Sequence, residues 1–149
     1  MKTKLKLTVY LFAGLLFGLS ANAQKTVIKK EALPANAQTF LKTHFGSKKP
    51  NYILEDKEIL STEYKVKFSD EIEIEIEFDK KENWKEVDGN NAKIPKSIVP
   101  KKIASYIKTN FPKEKVTKIE IETSGYEVKL TNGLELKFNL KEDFVKVSK

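Results

Sequence analysis

The chain has no cysteine, no arginine and a single histidine, and its six glycines stand apart from one another. Each absence removes a class of function. Without cysteine there are neither disulfides nor thiolate metal sites. Without arginine there is no bidentate fork for phosphates or base edges, so a nucleic-acid partner is not expected although the formal charge is +7. Isolated glycines leave no loop to cradle a phosphate. His44 has no second histidine and no cysteine to complete a metal site, and its place one turn beyond Phe40 marks it as a packed or partly solvated helix-end residue. The serines and threonines have no paired base nearby in sequence. No catalytic residue, metal ligand or cofactor is assigned, and the chain is not expected to be an enzyme.

What is present begins with a leader. Lys2, Lys4 and Lys6 precede an apolar run from Leu7 to Leu19, and Ala21-Asn22-Ala23 follows, the order of a secretory signal peptide. The run is short for a bilayer span, so cleavage after Ala23 is expected rather than a membrane anchor. No cysteine follows it to carry a lipid. The remaining 126 residues, 24–149, are expected to form a single domain, free in a periplasm or outside the cell. The leader holds 3 of the 28 lysines and none of the 21 acids, so the remainder carries 25 against 21, a net +4.

The most legible stretch is Gly125 to Phe138, GYEVKLTNGLELKF. Alternation places Tyr126, Val128, Leu130, Leu134, Leu136 and Phe138 inward, and pairing Val128 with Leu136 keeps them on one face. That register leaves a three-residue loop, Thr131-Asn132-Gly133, with Gly133 in the left-handed conformation of a bulged hairpin. It also sets Lys129 opposite Glu135 and Glu127 opposite Lys137 on the outer face.

The chain repeats itself. Leu33-Pro34 through Phe45 aligns with Val99-Pro100 through Phe111 at an offset of 66, Tyr64 to Phe68 with Tyr126 to Leu130 at 62, and Ile76 to Asp79 with Leu136 to Asn139 at 60. Trp84 then falls on Phe144 and Val87 on Val147, so Trp84 reads as core rather than as an exposed anchor. Each unit, about 30–90 and 91–149, opens with a helix behind a proline. The stripes are Ala37, Phe40, Leu41 and Phe45 in one helix and Ile103, Tyr106, Ile107 and Phe111 in the other. The second unit adds Ile94 to Ile98, which reads as an extra helical turn. Four alternating strands follow each helix, at about 52–60, 63–68, 71–79 and 83–87 and then at 116–123, 126–130, 134–139 and 144–147. The expectation is α+β: two tandem helix-plus-four-strand repeats with helices on one face. Their antiparallel sheets are either packed edge to edge or continuous as eight strands, the continuous form being preferred because single units would leave small cores and open edges.

These units, Leu-Pro with a helix ending in Phe and then Gly-Tyr-x-Val-x-Leu-x-Asn-Gly, resemble the exported PepSY-like proteins of Gram-negative bacteria, which are grouped by fold with the β-lactamase inhibitory proteins. Leu33-Pro34, Ile94-Pro95, Phe111-Pro112 and Gly125 to Phe138 carry the likeness. The first unit departs from it with Ser69-Asp70-Glu71 in place of Asn-Gly. The resemblance implies a fold, helix plus four strands in duplicate forming one curved antiparallel sheet, and no established activity; inhibition or protein binding comes by analogy alone.

If the sheet has one face without helices, its outward residues are the candidate site: Lys65, Lys67, Glu73, Glu75, Glu127, Lys129, Glu135 and Lys137. The expected partner is an envelope or extracellular protein or peptide. Glu71 to Asp79 alternates carboxylates with apolar residues, and two readings stand. It is an acidic stripe for Ca²⁺ or another divalent cation, a small ligand or a basic partner, or lysines neutralise it. Neighbouring carboxylates along a strand lie about 7 Å apart, too far for two to chelate one ion unaided. Pairing Phe68 with Ile72 and Val66 with Ile74 sets Lys67 opposite Glu73 and Lys65 opposite Glu75, and leaves Glu63 and Glu77 as a like-charge pair.

Overall fold

The computed structural model describes residues 24–46, 48–57, 62–69, 73–78 and 83–148; the expected signal peptide, Asp70, and Glu71, Ile72 and Asp79 of the strand expected at 71–79 lie outside them. Nine strands form one antiparallel sheet in sequence order: β1 (Gln24–Ile28), β2 (Tyr52–Lys57), β3 (Thr62–Ser69), β4 (Glu73–Phe78), β5 (Trp84–Asp88), β6 (Val116–Glu122), β7 (Gly125–Leu130), β8 (Glu135–Asn139) and β9 (Phe144–Ser148). Helix α1 (Ala35–Phe45) lies between β1 and β2 in sequence, and α2 (Lys101–Asn110) between β5 and β6. The sheet is continuous, as expected, but it has one strand more. β1 pairs with β2 from Gln24↔Lys57 to Ile28↔Ile53, and its mostly polar, exposed residues give no apolar alternation to mark it.

Pro34 and Pro100 stand just ahead of the helices, where a missing N–H leaves no gap, and their carbonyls accept from Gln38 and Ala104. The helical turn expected at Ile94 to Ile98 is a 3-10 turn, Lys96–Ile98, but it is not peculiar to the second unit. Lys30–Ala32 forms the same turn, 66 residues earlier, ahead of α1.

Ala37, Leu41 and Phe45 of α1, Ile103 and Ile107 of α2, and alternate residues of the strands from Ile53 to Phe138 form one buried cluster. Aromatic triads recur within it at the repeat offsets. Phe40 meets Phe78 edge-on at 5.5 Å and Trp84 at 5.9 Å, and Tyr106 meets Phe138 edge-on at 5.5 Å and Phe144 face-on at 4.6 Å. In both places a register shift makes room: Phe78 opposes Trp84 and Phe138 opposes Phe144, with Lys85 and Val145 as the extra residues. Trp84 is therefore half-buried against the core, as its alignment with Phe144 requires.

The β7–β8 hairpin has the expected register, with Val128↔Leu136, Lys129↔Glu135 and Glu127↔Lys137. Its loop is Thr131–Gly133, with Gly133 at φ +83° and Leu130 N–H donating to the Leu134 carbonyl at 2.9 Å. One inward assignment is corrected. Leu134 sits at the turn, beyond the last regular pair of the ladder, and remains 36 % exposed.

The first hairpin has a different register from the expected one. Val66 pairs with Ile76 and Phe68 with Ile74, two residues along β4 from the expected partners. A slip of two keeps every side chain on its face, so the Ile-Glu repeat does not distinguish the registers. The one adopted matches the second hairpin, with Tyr64↔Phe78 where that has Tyr126↔Phe138. The first unit takes up the difference as two additional residues between Phe68 and Ile74.

Glycine is required most strictly at Gly125, where φ is +151° and an added Cβ would lie 1.9 Å from the Phe138 carbonyl oxygen. At Gly133 the added atom meets nothing within 4 Å. Gly133→Ala should cost about 1–2 kcal/mol from the left-handed backbone alone. Gly125→Ala should cost more, read from urea unfolding midpoints, and equal losses would contradict this packing.

Candidate binding face

Alternation in the strands sends one set of side chains into the core and the other to the opposite face. On that opposite face the register assembles two rows of charge across the sheet. One runs Lys65, Glu77, Glu86, Glu120, Glu127 and Lys137 through β3 to β8. The other holds Lys67, Asp88, Lys118, Lys129 and Glu135, and in the register Glu75 of β4 stands between Lys67 and Asp88. The first row brings four glutamates side by side on adjacent strands, at a spacing of about 5 Å.

Four carboxylates so close are compatible with folding only if cations stand among them. Lys65 pairs with Glu77 at one end. Lys137 closes the other end, 3.0 Å from Glu127 and 3.1 Å from Glu122, and its hydrogen bonds to these two hold its ammonium above the ordinary lysine value. In the middle Lys118 reaches Glu86 at 3.0 Å and Glu120 at 3.5 Å. Burial pulls the Lys118 ammonium down, but its bond to Glu86 and the charges of Glu86, Glu120 and Asp88 outweigh this and leave it raised. Burial pushes the Glu86 carboxyl up; Lys118 draws it back, while Glu120 and Glu77 add to the rise.

All eight residues singled out from the sequence lie on strands β3, β4, β7 and β8. Glu127 with Lys137 and Lys129 with Glu135, the latter 3.7 Å apart, form the expected pairs. The β3–β4 partners are corrected: Lys65 stands opposite Glu77 rather than Glu75, and Lys67 opposite Glu75 rather than Glu73, because of the two-residue shift. Glu73 stands opposite Ser69. The like-charge pairing of Glu63 with Glu77 does not occur; Lys85 lies 3.5 Å from Glu63. Lys67 extends over the Tyr52 ring, 6.0 Å from its centre. Glu86, Asp88, Lys118 and Glu120 were missed, because they meet only where β5 pairs with β6 across the boundary between the units.

His44 packs its ring 4.6 Å from Phe40 and shares a hydrogen bond of 2.9 Å with Ser97, joining α1 to the turn before α2; burial lowers its pKa. Among the described residues no group of three histidine, aspartate or glutamate side chains could hold a metal ion, and no helix is long and apolar enough to cross a membrane.

Comparison with known proteins gives one family and several solved structures. The family model described as "Putative beta-lactamase-inhibitor-like, PepSY-like" matches residues 20–76 and 62–146. A "putative calcium-regulated periplasmic protein" from Bacteroides thetaiotaomicron is 38% identical, with 84% of this chain and 97% of that one covered and a TM-score of 0.77. A "putative periplasmic protein" of the DUF2874 family from Bacteroides vulgatus is 36% identical over 85% of this chain and 98% of that one, with a TM-score of 0.77. A second from Bacteroides vulgatus, described as of unknown function, is also 36% identical, over 85% and 100%, with a TM-score of 0.76. No curated protein matches the chain.

Lys118 is the cation on which the middle of the glutamate row depends. Lys118→Met should destabilise the fold by about 1–3 kcal/mol, the scale of a charged hydrogen bond removed from a partly buried partner. Lys129→Met, which gives up one pair at 3.7 Å, should cost less. Urea unfolding of both variants checks the order, and equal costs would contradict it.

Proposed function

The chain belongs to the PepSY-like family, and on that premise we propose that it is an exported, non-enzymatic binding module that takes a basic protein or peptide segment on the face of the sheet opposite the core. The signal peptide is removed after Ala23, and the mature chain works in the periplasm, where its solved relatives are described. The two repeats form one sheet, with helices over one face and the other left open for the partner.

The observation that carries this reading is the row Glu77, Glu86, Glu120 and Glu127. Charge is divided unevenly along the chain. Residues 29–51 and 90–115, the helices with their flanks, hold 12 lysines and 2 glutamates, a net +10; the rest of 24–149 holds 13 lysines and 19 acids, a net −6. The strands thus carry the acidic share of a basic protein. Lysines or arginines of a partner can take up the valences that Lys65, Lys118 and Lys137 only partly fill. Such a contact forms quickly, discriminates by charge and weakens with salt.

A second reading, divalent-cation binding through the acidic strand at 71–79 and its neighbours, draws on the same carboxylates and on the relative described as calcium-regulated. Here Ca²⁺ would have to displace the lysines already bound to them.

One experiment separates the two. Immobilised mature protein should capture a basic partner from the envelope fraction, and Glu120→Gln with Glu127→Gln should reduce capture about tenfold, the effect of 1.4 kcal/mol. Lys42→Glu on α1 should change it little. Capture that is unaffected by the glutamate changes and by about 0.5 M salt, or that is lost through Lys42→Glu, would overturn the sheet-face reading. Calcium at about 100 times its dissociation constant would stabilise the fold by about 2.7 kcal/mol, and no thermal shift would end the cation reading.

A further inference from the structure

A cavity of about 230 Å³ opens beside α2, away from the glutamate row. Its floor is apolar, made by Ile94, Val99, Ala104, Ile107 and Val116. Lys93, Lys96, Lys108 and Lys115 stand at its rim, all exposed. The rim has one acid, Glu114, and the Thr131 hydroxyl donates to its carboxylate. Among the described residues none of the four lysines has an ion-pair partner. On the sheet face, by contrast, Lys65, Lys118, Lys129 and Lys137 all have carboxylate partners.

The first unit differs at the corresponding place. At the offset of 66, Ala104 corresponds to Gln38, Val99 to Leu33 and Ile94 to Ile28. The Gln38 side chain reaches back across this position to the Leu33 carbonyl at 2.7 Å and the Glu31 carbonyl at 3.3 Å. Alanine cannot reach. The second unit thus has a cavity beside an alanine where the first has a hydrogen-bonded amide, and it carries Lys93 where the first has Val27.

We infer that this cavity is a binding site for a small amphipathic anion, an apolar body with a carboxylate or phosphate head. An apolar cavity of about 150 Å³ holds a benzene ring, so this one accepts a body on the order of eight carbons. The apolar floor takes the body out of water. The lysines gather the head by charge, without the rigid fork that arginine would supply. The site is separate from the sheet face, so either can fail without the other.

Octanoate is the probe, with octan-1-ol and acetate as controls for the apolar body and the head alone. Octanoate should raise the melting temperature of the mature protein in a dose-dependent way at concentrations where neither control does, and octyl phosphate should do the same if either head serves. Ala104→Gln, which copies the first unit, should leave the melting temperature without ligand nearly unchanged and abolish the shift. Lys108→Gln with Lys115→Gln, both exposed, should leave the melting temperature without ligand nearly unchanged and weaken octanoate at least tenfold, and decides the matter if Ala104→Gln fails to fold. The inference is overturned if octanoate gives no shift, if octanol gives as large a shift, or if the shift survives these substitutions.

Discussion

The three residue pairs between β5 and β6, Glu86↔Glu120, Val87↔Ile119 and Asp88↔Lys118, are the constraint on which the rest of the molecule depends. They join the two units into one ladder. Gly89 N–H to the Thr117 carbonyl at 2.7 Å and Ile94 N–H to the Val116 carbonyl at 3.0 Å extend the junction into the loop that leads to α2. Without it each unit would expose a central strand edge, an unpaired row of N–H and C=O groups that invites aggregation. With it, Val87 and Ile119 are fully buried side by side and the edges move out to β1 and β9, which carry Lys25 and Lys146.

The same junction concentrates charge. Val87 and Ile119 must face the core, so their neighbours Glu86 and Glu120 must face the other way, and strand pairing then brings them together. The chain meets the resulting repulsion with lysine alone. A long flexible stem lets Lys118, which stands opposite Asp88, reach Glu86 on β5 and Glu120 on its own strand and so serve two carboxylates. Stability and a candidate recognition surface therefore share the same residues. On the proposed reading, a partner cation at the row would relieve the repulsion that Glu120 and Glu77 add at Glu86.

Features encoded locally were legible in the sequence, and those that depend on pairing between distant segments were not. The β7–β8 hairpin could be read because apolar alternation, a positive-φ glycine and two charge pairs all select one register. The β3–β4 register could not, because Ile-Glu repetition fits any even shift and only the aromatic match of Tyr64 with Phe78 decides it. β1 has no apolar alternation of its own; it becomes a strand by adding to the exposed edge of β2. The glutamate row was hidden because its members come from four strands in two units. Gln38 and Ala104 occupy aligned positions whose difference gains meaning only in three dimensions, where the amide is bonded to the Leu33 carbonyl in one unit and a cavity lies beside the alanine in the other.

The most direct test of the joined sheet is the titration of the side-chain carboxyl carbons followed by NMR. Only a β5 strand paired with β6 both buries Glu86 and sets Glu120 beside it, so Glu86 should titrate above the ordinary glutamate value while Asp143, hydrogen-bonded to Lys102, titrates below the ordinary aspartate value. A Glu86 carboxyl that titrates at or below the ordinary value would mean that the two units are not joined in this way.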